Sequence, residues 1–273
     1  MAMIRPGGDA LTKKAVEKAK LPAGARILDV GCGEGDTAAM LAERYGFDVA
    51  GVDQSEKLID KGKARHPGLD LRRMEAEFLD FESKSFDAVI MECSLSVFRL
   101  QEDAAFEAWC MLKDGGKLII TDLYRRNPDP VAVAKMLKDA HEKSMRPKVD
   151  GACGENTRPS KVMLDGAFVV DELAAMLTGV GFEFECSEDE SNVLPGFAAQ
   201  AIMGHGSLEE YFKAIVPEGE DPSAYCACSA FCPPDEGEPA GSQNEGTAGK
   251  KTPVACKTPE DLGYFLMILK KQS

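Results

Sequence analysis

One stretch of the chain carries residues whose types and spacing pose a chemical question. In RILDVGCGEGDTAAMLAERYG, Arg26 to Gly46, an acidic residue, Asp29, stands two positions before the first of three glycines, Gly31, Gly33 and Gly35. Glycines so spaced let the backbone turn tightly and offer its N–H groups to a ligand at the start of a helix. A dinucleotide turn spaces its glycines G-x-G-x-x-G, and here Asp36 fills the third position of that pattern. With Glu34, Asp36 and Asp29 around the turn, a docked pyrophosphate would meet three carboxylates. The pattern favours a ligand with neutral or cationic groups and disfavours NAD and hydride transfer.

S-adenosylmethionine answers that description, having no phosphate and carrying a sulfonium and an ammonium against one carboxylate. Turn N–H groups can take its carboxylate, and Asp29 can attract its ammonium directly or through water. Asp53, closing VAGVDQS, falls where an acid can accept both ribose hydroxyls in doubly wound folds. Two plainer readings stand beside these: a packing turn without ligand, and Asp53 as the N-cap of the helix that begins near Ser55.

The elements that must position these residues follow from periodicity. Strand-like runs at Arg26–Val30, Asp48–Asp53, Leu69–Met74, Phe86–Cys93 and Lys117–Leu123 alternate with helical patterns at Asp36–Tyr45, Glu56–Arg65 and Gln101–Leu112. That succession predicts an α/β fold with a doubly wound, seven-stranded, mostly parallel sheet. Later come a helix at Val131–Lys143, a helix at Val170–Thr178, a strand at Phe182–Ser187, a helical segment at Gly196–Val216 and a last strand at Tyr264–Lys270. The predicted organisation is an N-terminal helix or lid at 1–25 and a core at 26–195 that includes a cap at 124–166. A helical, cysteine-bearing, partly disordered insertion follows at 196–262, then the final strand at 263–273.

The chain resembles the class I S-adenosylmethionine-dependent methyltransferases, and its RPGG opening and GYFLMILKK ending resemble a bacterial branch acting on small molecules. ILDVGCGEGD looks like their first motif, GVDQS their acidic loop, MEAEFLDFESKSFDAVIMECSLSVF their adenine loop and fourth strand, and LKDGGKLIITDLY their fifth strand. The resemblance implies that Asp29, Gly31, Cys32, Gly33, Gly35, Asp53, Gln54, Glu75, Ala76 and Glu92 surround the cofactor. Two departures bear on substrate chemistry. The family usually places Asp where this chain has Glu75, and often Asn or Asp where it has Glu92 and Cys93.

Strand C-termini in open α/β sheets face the ligand crevice. Glu92 is thus a candidate general base or ammonium ligand, against a solvated loop position, and Cys93 is either a small buried hydrophobe or a group facing the acceptor. His141 is a more distant candidate base, in a charged stretch where a solvated histidine is the plainer reading. Two other functions compete with methyl transfer to a small molecule. One is arsenite methylation through Cys93 and Cys153, by a looser resemblance to arsenic methyltransferases; the other is a non-catalytic, cofactor-binding regulatory module. Trp109 reads as core, and Tyr124 either packs or points into the crevice.

Composition limits the partners. Between Glu183 and Gly249 lie fourteen acids and one base, Lys213, so thirteen of the fourteen net negative charges fall there. A chain without a basic stripe is a poor ligand for nucleic acid. No run of about 18 apolar residues suggests a membrane span, and no secretory pattern opens the sequence, so a cytoplasmic enzyme is expected. Nine cysteines, an odd number, read as reduced thiols. YCACSAFC brings Cys226, Cys228 and Cys232 together with Cys256 further on, offering thiolates for a soft metal or simply three reduced cysteines. No metal is assigned to the active site.

Overall fold

Apolar runs buried on both faces build the sheet. The computed structural model describes residues 5–144, 163–164, 167–215 and 261–272. After α1 (Gly8–Ala19), the chain alternates β1 (Arg26–Val30), α2 (Asp36–Tyr45), β2 (Asp48–Asp53), α3 (Glu56–Arg65) and β3 (Asp70–Arg73). It continues through β4 (Phe86–Glu92), a 3₁₀ turn at Leu95–Val97, α4 (Gln101–Met111), β5 (Leu112–Arg125) and α5 (Pro130–Ser144). The last part holds β6 (Met163–Leu164), β7 (Ala167–Phe168), α6 (Val170–Val180), β8 (Phe182–Asp189), α7 (Leu194–His205), α8 (Leu208–Ile215) and β9 (Leu262–Lys271).

Seven strands form the body of the sheet in the order β3-β2-β1-β4-β5-β9-β8. The first five are parallel to their neighbours, while β9 runs antiparallel between β5 and β8. This is the expected doubly wound architecture. The small hairpin of β6 and β7, absent from the sequence reading, adds to β5 at Tyr124, beyond the last residue pair of β4, Glu92 with Thr121. Two-residue strands are too short to show a period.

Period two sorts the core into two layers. Ile27, Ala88, Ile90, Ile119, Tyr264, Leu266 and Ile268 join one cluster with residues of α1, α2, α7 and α8. Leu28, Val30, Val89, Met91, Leu118, Ile120 and Phe265 join the other, with α4 and α6. Side chains two apart on a strand share a face, so Asp29, Glu92 and Thr121 fall on the α1/α2 side of the sheet.

Three boundaries differ from expectation for local reasons. β5 begins at Leu112, because Leu112 pairs with Phe86 before a register shift absorbs the turn that contains Gly115 and Gly116. The helical segment read as continuous breaks at Gly206, whose φ of 88° ends α7. That segment opens within the core, since Phe197, Ala201, Leu208 and Tyr211 are buried in the same cluster as α1. Cys153, Cys226, Cys228, Cys232 and Cys256 lie outside the described residues.

Candidate active site

The glycine turn joins the C-terminal end of β1 to the start of α2. Gly31, Gly33 and Gly35 all have positive φ, at 79°, 57° and 80°. A Cβ built at Gly31 would overlap Ser94, the residue that donates from Oγ to Val30 O at 2.7 Å. The turn thus needs glycine for its backbone and for the close approach of the loop after β4. Gly31 N and Cys32 N both donate to Val52 O, at 2.8 and 3.0 Å, which ties the turn to the end of β2.

Asp53 is oriented by backbone. Its Oδ2 accepts from Gly33 N and its Oδ1 from Ser55 N, each at 2.9 Å. The capping alternative does not hold: Ser55 is the N-cap of α3, its Oγ accepting from Leu58 N. Gln54 and Glu75 are exposed beside it at the ends of β2 and β3, Ala76 is buried, and Cys32 rests over Gly51 of β2. Burial pushes the Cys32 thiol far above its ordinary range, with Asp29 and Asp53 adding to the effect.

Asp29 is 3% exposed, and its Oδ2 is buried with no hydrogen-bond partner among the described residues. Burial first, and the charge of Glu92 second, push its pKa up to about 8, while Arg5 and Asp53 act in opposite directions. A buried carboxyl oxygen without a donor is costly, and a ligand cation would relieve it. Together with a turn of three positive-φ glycines, this fits the amino-acid end of S-adenosylmethionine.

Glu92 ends β4 with a side chain only 5% exposed. Its Oε1 accepts from Thr12 Oγ1 of α1 at 2.7 Å and its Oε2 from Thr37 Oγ1 of α2 at 3.0 Å. Arg5 Nε lies 3.0 Å from Oε2. Three elements therefore converge on one carboxylate, and the N-terminal segment sits at the crevice end of the strands. Arg5, Thr12 and Thr37 were not singled out in the sequence. Thr37 had a visible signal, being the second residue of a helix that opens at the turn.

Cys93 follows with φ of 53°, in the region that favours glycine. Its Sγ is 2.7 Å from Tyr264 Oη, which also donates to Thr121 Oγ1 at 3.1 Å. Burial, then Asp122, drives the thiol well above its ordinary range, so Cys93 is a neutral thiol. Asp122, 1% exposed, holds the 3₁₀ turn by accepting from Ser96 N, and burial raises its pKa to about 6. His141 lies on α5, and its side chain is outside the described residues.

Two acids of the turn point elsewhere. Glu34 and Asp36 pair with Arg65 at 2.6 and 2.9 Å, and Asp36 also meets His66 Nε2 at 3.1 Å. The charge argument against pyrophosphate therefore rests on Glu92 and Asp53, since burial holds Asp29 largely protonated until a cation arrives. Among the described residues no group of three or more His, Cys, Asp or Glu side chains is placed to hold a metal ion. No helix among them is long and apolar enough to cross a membrane.

A family profile described as "Methyltransferase domain" matches residues 27–116. The chain is 36% identical over 143 residues to the uncharacterised methyltransferase YodH of Bacillus subtilis, covering 51% of this chain and 60% of that one. It is 31% identical over 178 residues to the demethylmenaquinone methyltransferase of Thermus thermophilus, covering 62% of this chain and 80% of the relative. Among solved structures, Haemonchus contortus phosphoethanolamine N-methyltransferase 2 in complex with S-adenosyl-L-methionine matches with a TM-score of 0.61. Its identity is 16%, over 99% of this chain and 54% of that one, so it speaks for the fold.

Proposed function

Because the chain belongs to the class I S-adenosylmethionine-dependent methyltransferases, we propose that it moves the methyl group of S-adenosylmethionine to a small-molecule acceptor by in-line displacement. The observation that carries the cofactor side of this reading is the buried, unpartnered Oδ2 of Asp29 beside a turn of three positive-φ glycines. In the proposed arrangement Asp29 holds the ammonium at the amino-acid end of the cofactor, and the turn, whose Gly31, Cys32 and Gly33 N–H groups are bonded to Val52 O and Asp53, brings the backbone close to it. Asp53, aimed by Gly33 N and Ser55 N, holds the ribose, and the Gln54, Glu75 and Ala76 region borders the adenine.

When bound, the cofactor supplies a methyl carbon already activated by its sulfonium. The chain's work is then to align the acceptor and exclude water. Glu92, engaged by Arg5, Thr12 and Thr37, is better suited to hold the cofactor end and the N-terminal segment than to abstract a proton. Cys93, a neutral thiol hydrogen-bonded to Tyr264, gives shape to the crevice; a thiolate for arsenite is opposed by its burial, and Cys153 lies outside the described residues. His141 on α5 stays a candidate base for acceptors that must lose a proton. The N-terminal segment and the chain after β5 are proposed to cover the acceptor.

The test is transfer of tritiated methyl from S-adenosylmethionine to a panel of small amines, phenols and thiols, with calorimetry of S-adenosylhomocysteine and NAD alongside. Label in a small molecule, with binding of S-adenosylhomocysteine and not NAD, is the expected result. Tight NAD binding without S-adenosylhomocysteine binding would refute the cofactor assignment, and label found only in protein or nucleic acid would refute the acceptor class.

A further inference from the structure

Arg5, just before α1, brings a guanidinium to the acid-lined end of the sheet. Its side chain is 17% exposed, with Nε 3.0 Å from Glu92 Oε2, while Nη2 donates to Thr12 Oγ1 at 2.7 Å and lies 3.7 Å from Asp9 Oδ1. Burial disfavours its charge, but Glu92, Asp29 and Asp9 more than offset that, and Arg5 is the cation that acts on Asp29. Other cations of the same helix are committed elsewhere: Lys14 pairs with Glu188 and Glu190, and Lys18 with Glu188, all on or next to β8.

The amino-acid end of the proposed cofactor brings one ammonium and one carboxylate. An ammonium beside Asp29 and Glu92 is favoured, but a carboxylate arriving with it meets two acids. Away from bulk water such repulsion is only weakly screened. A cation on the spot is needed, and a guanidinium matches a carboxylate through a planar fork of donors. Exchange of partners gives each incoming group an opposite charge: the ammonium goes to the acids and the carboxylate to Arg5.

We propose that Arg5 is a cofactor-binding residue, held by Glu92 in the ligand-free chain and recruited by the α-carboxylate of S-adenosylmethionine, so that cofactor binding tightens the N-terminal segment already packed at the site. This rests on the methyltransferase reading above. It assigns the carboxylate to a side chain outside the glycine turn, and it makes the rigidity of the N-terminal segment depend on the amino-acid end of the ligand.

The test compares two ligands by calorimetry on the full chain. One is S-adenosylhomocysteine; the other is its decarboxylated analogue, which keeps the adenosine, thioether and ammonium. Arg5→Met should weaken S-adenosylhomocysteine at least tenfold and the decarboxylated amine less than threefold, with Arg5→Lys between wild type and Arg5→Met. Hydrogen exchange in residues 8–19 should slow on adding S-adenosylhomocysteine to wild type and not to Arg5→Met. Equal loss for both ligands, or no loss for either, overturns the role of Arg5 alone. Wild-type protein that binds neither ligand overturns the methyltransferase reading and the Arg5 role with it. Should Arg5→Met fail to fold, the ligand-specific loss in Arg5→Lys decides.

Discussion

Replacing Asp29 with Asn keeps the shape of the side chain and removes its titration. The folded-state pKa of Asp29 is raised from 3.8 to about 8, chiefly by burial. Since the folded value lies above the unfolded one, its contribution to stability is fully present below about pH 3.8 and is lost as pH rises through 8. Each unit of pKa is about 1.4 kcal/mol, so the full shift sets a ceiling of about 6 kcal/mol. Water entry and rearrangement of Arg5 raise the effective dielectric, and about 2–3 kcal/mol is the expected size. Urea unfolding of the ligand-free protein at pH 5 and pH 8 should show Asp29→Asn gaining on wild type by that amount between the two. In the same wild type, S-adenosylhomocysteine binding at pH 7 should release close to one proton, because the ligand ammonium favours the ionised carboxylate. Calorimetry in buffers of different ionisation enthalpy reads that number directly. A stability gap that does not change with pH, or binding without proton release, would refute the assignment of a largely protonated Asp29 awaiting a cation.

Asp53→Ala should weaken S-adenosylhomocysteine by about 1.5–3 kcal/mol in calorimetry, the scale of a lost charged hydrogen bond, and lower stability in urea unfolding by about 1–3 kcal/mol, because Gly33 N and Ser55 N lose their acceptor. Lys271, 1% exposed, donates to Trp109 O and Leu112 O at 2.8 Å each and sits 3.9 Å over the Trp109 ring, closing the end of α4. Lys271→Met should cost about 2–3 kcal/mol in urea unfolding and leave cofactor affinity unchanged. Cys93, neutral and bonded to Tyr264, should react with a thiol-specific disulfide reagent more slowly than Cys110 and Cys186, which like it are partly exposed, followed by peptide mass mapping; equal rates would show that its thiol is not sequestered.

What was legible in the sequence was local. Asp29, the three glycines and Asp53 sit on one strand–turn–helix–strand run, where spacing along the chain translates directly into spacing in the fold. The sheet was legible for the same reason, since its strands are apolar runs buried on both faces and punctuated by turn residues. The convergence on Glu92 was not: Thr12 is 80 positions away in sequence, and its contact depends on how α1 folds back across the crevice. Tyr264 meets Cys93 across 171 positions, through an antiparallel strand inserted between two others. The direction of Glu34 and Asp36 was equally hidden, because their partners Arg65 and His66 come from the far end of α3. Charge counted along the chain cannot tell a carboxylate facing a ligand from one facing an arginine.

The parity of the strands carries the remaining step. Asp29, Glu92, Thr121 and Tyr264 share the α1/α2 side, and the thiol of Cys93 is drawn to that side by its positive φ and its bond to Tyr264. Asp122, one residue from Thr121, falls to the other side and spends its carboxylate on Ser96 and Leu123 N–H groups. Each acid at the strand ends therefore has a structural engagement or faces the cofactor end, and the cysteine is held as a neutral thiol. Since no base stands ready on the strands among the described residues, the proposed transfer suits an acceptor that needs little proton abstraction, or that carries its own nucleophilic lone pair. Selectivity would then fall to segments that leave the sheet, and the proposed Arg5 contact links one of them to the occupied cofactor site: an acceptor pocket whose N-terminal wall is firmed by the cofactor carboxylate would bind acceptor second. Acceptor affinity measured with and without S-adenosylhomocysteine in wild type and in Arg5→Met tests that order, since a tenfold enhancement by cofactor that persists in Arg5→Met would separate the pocket from the segment.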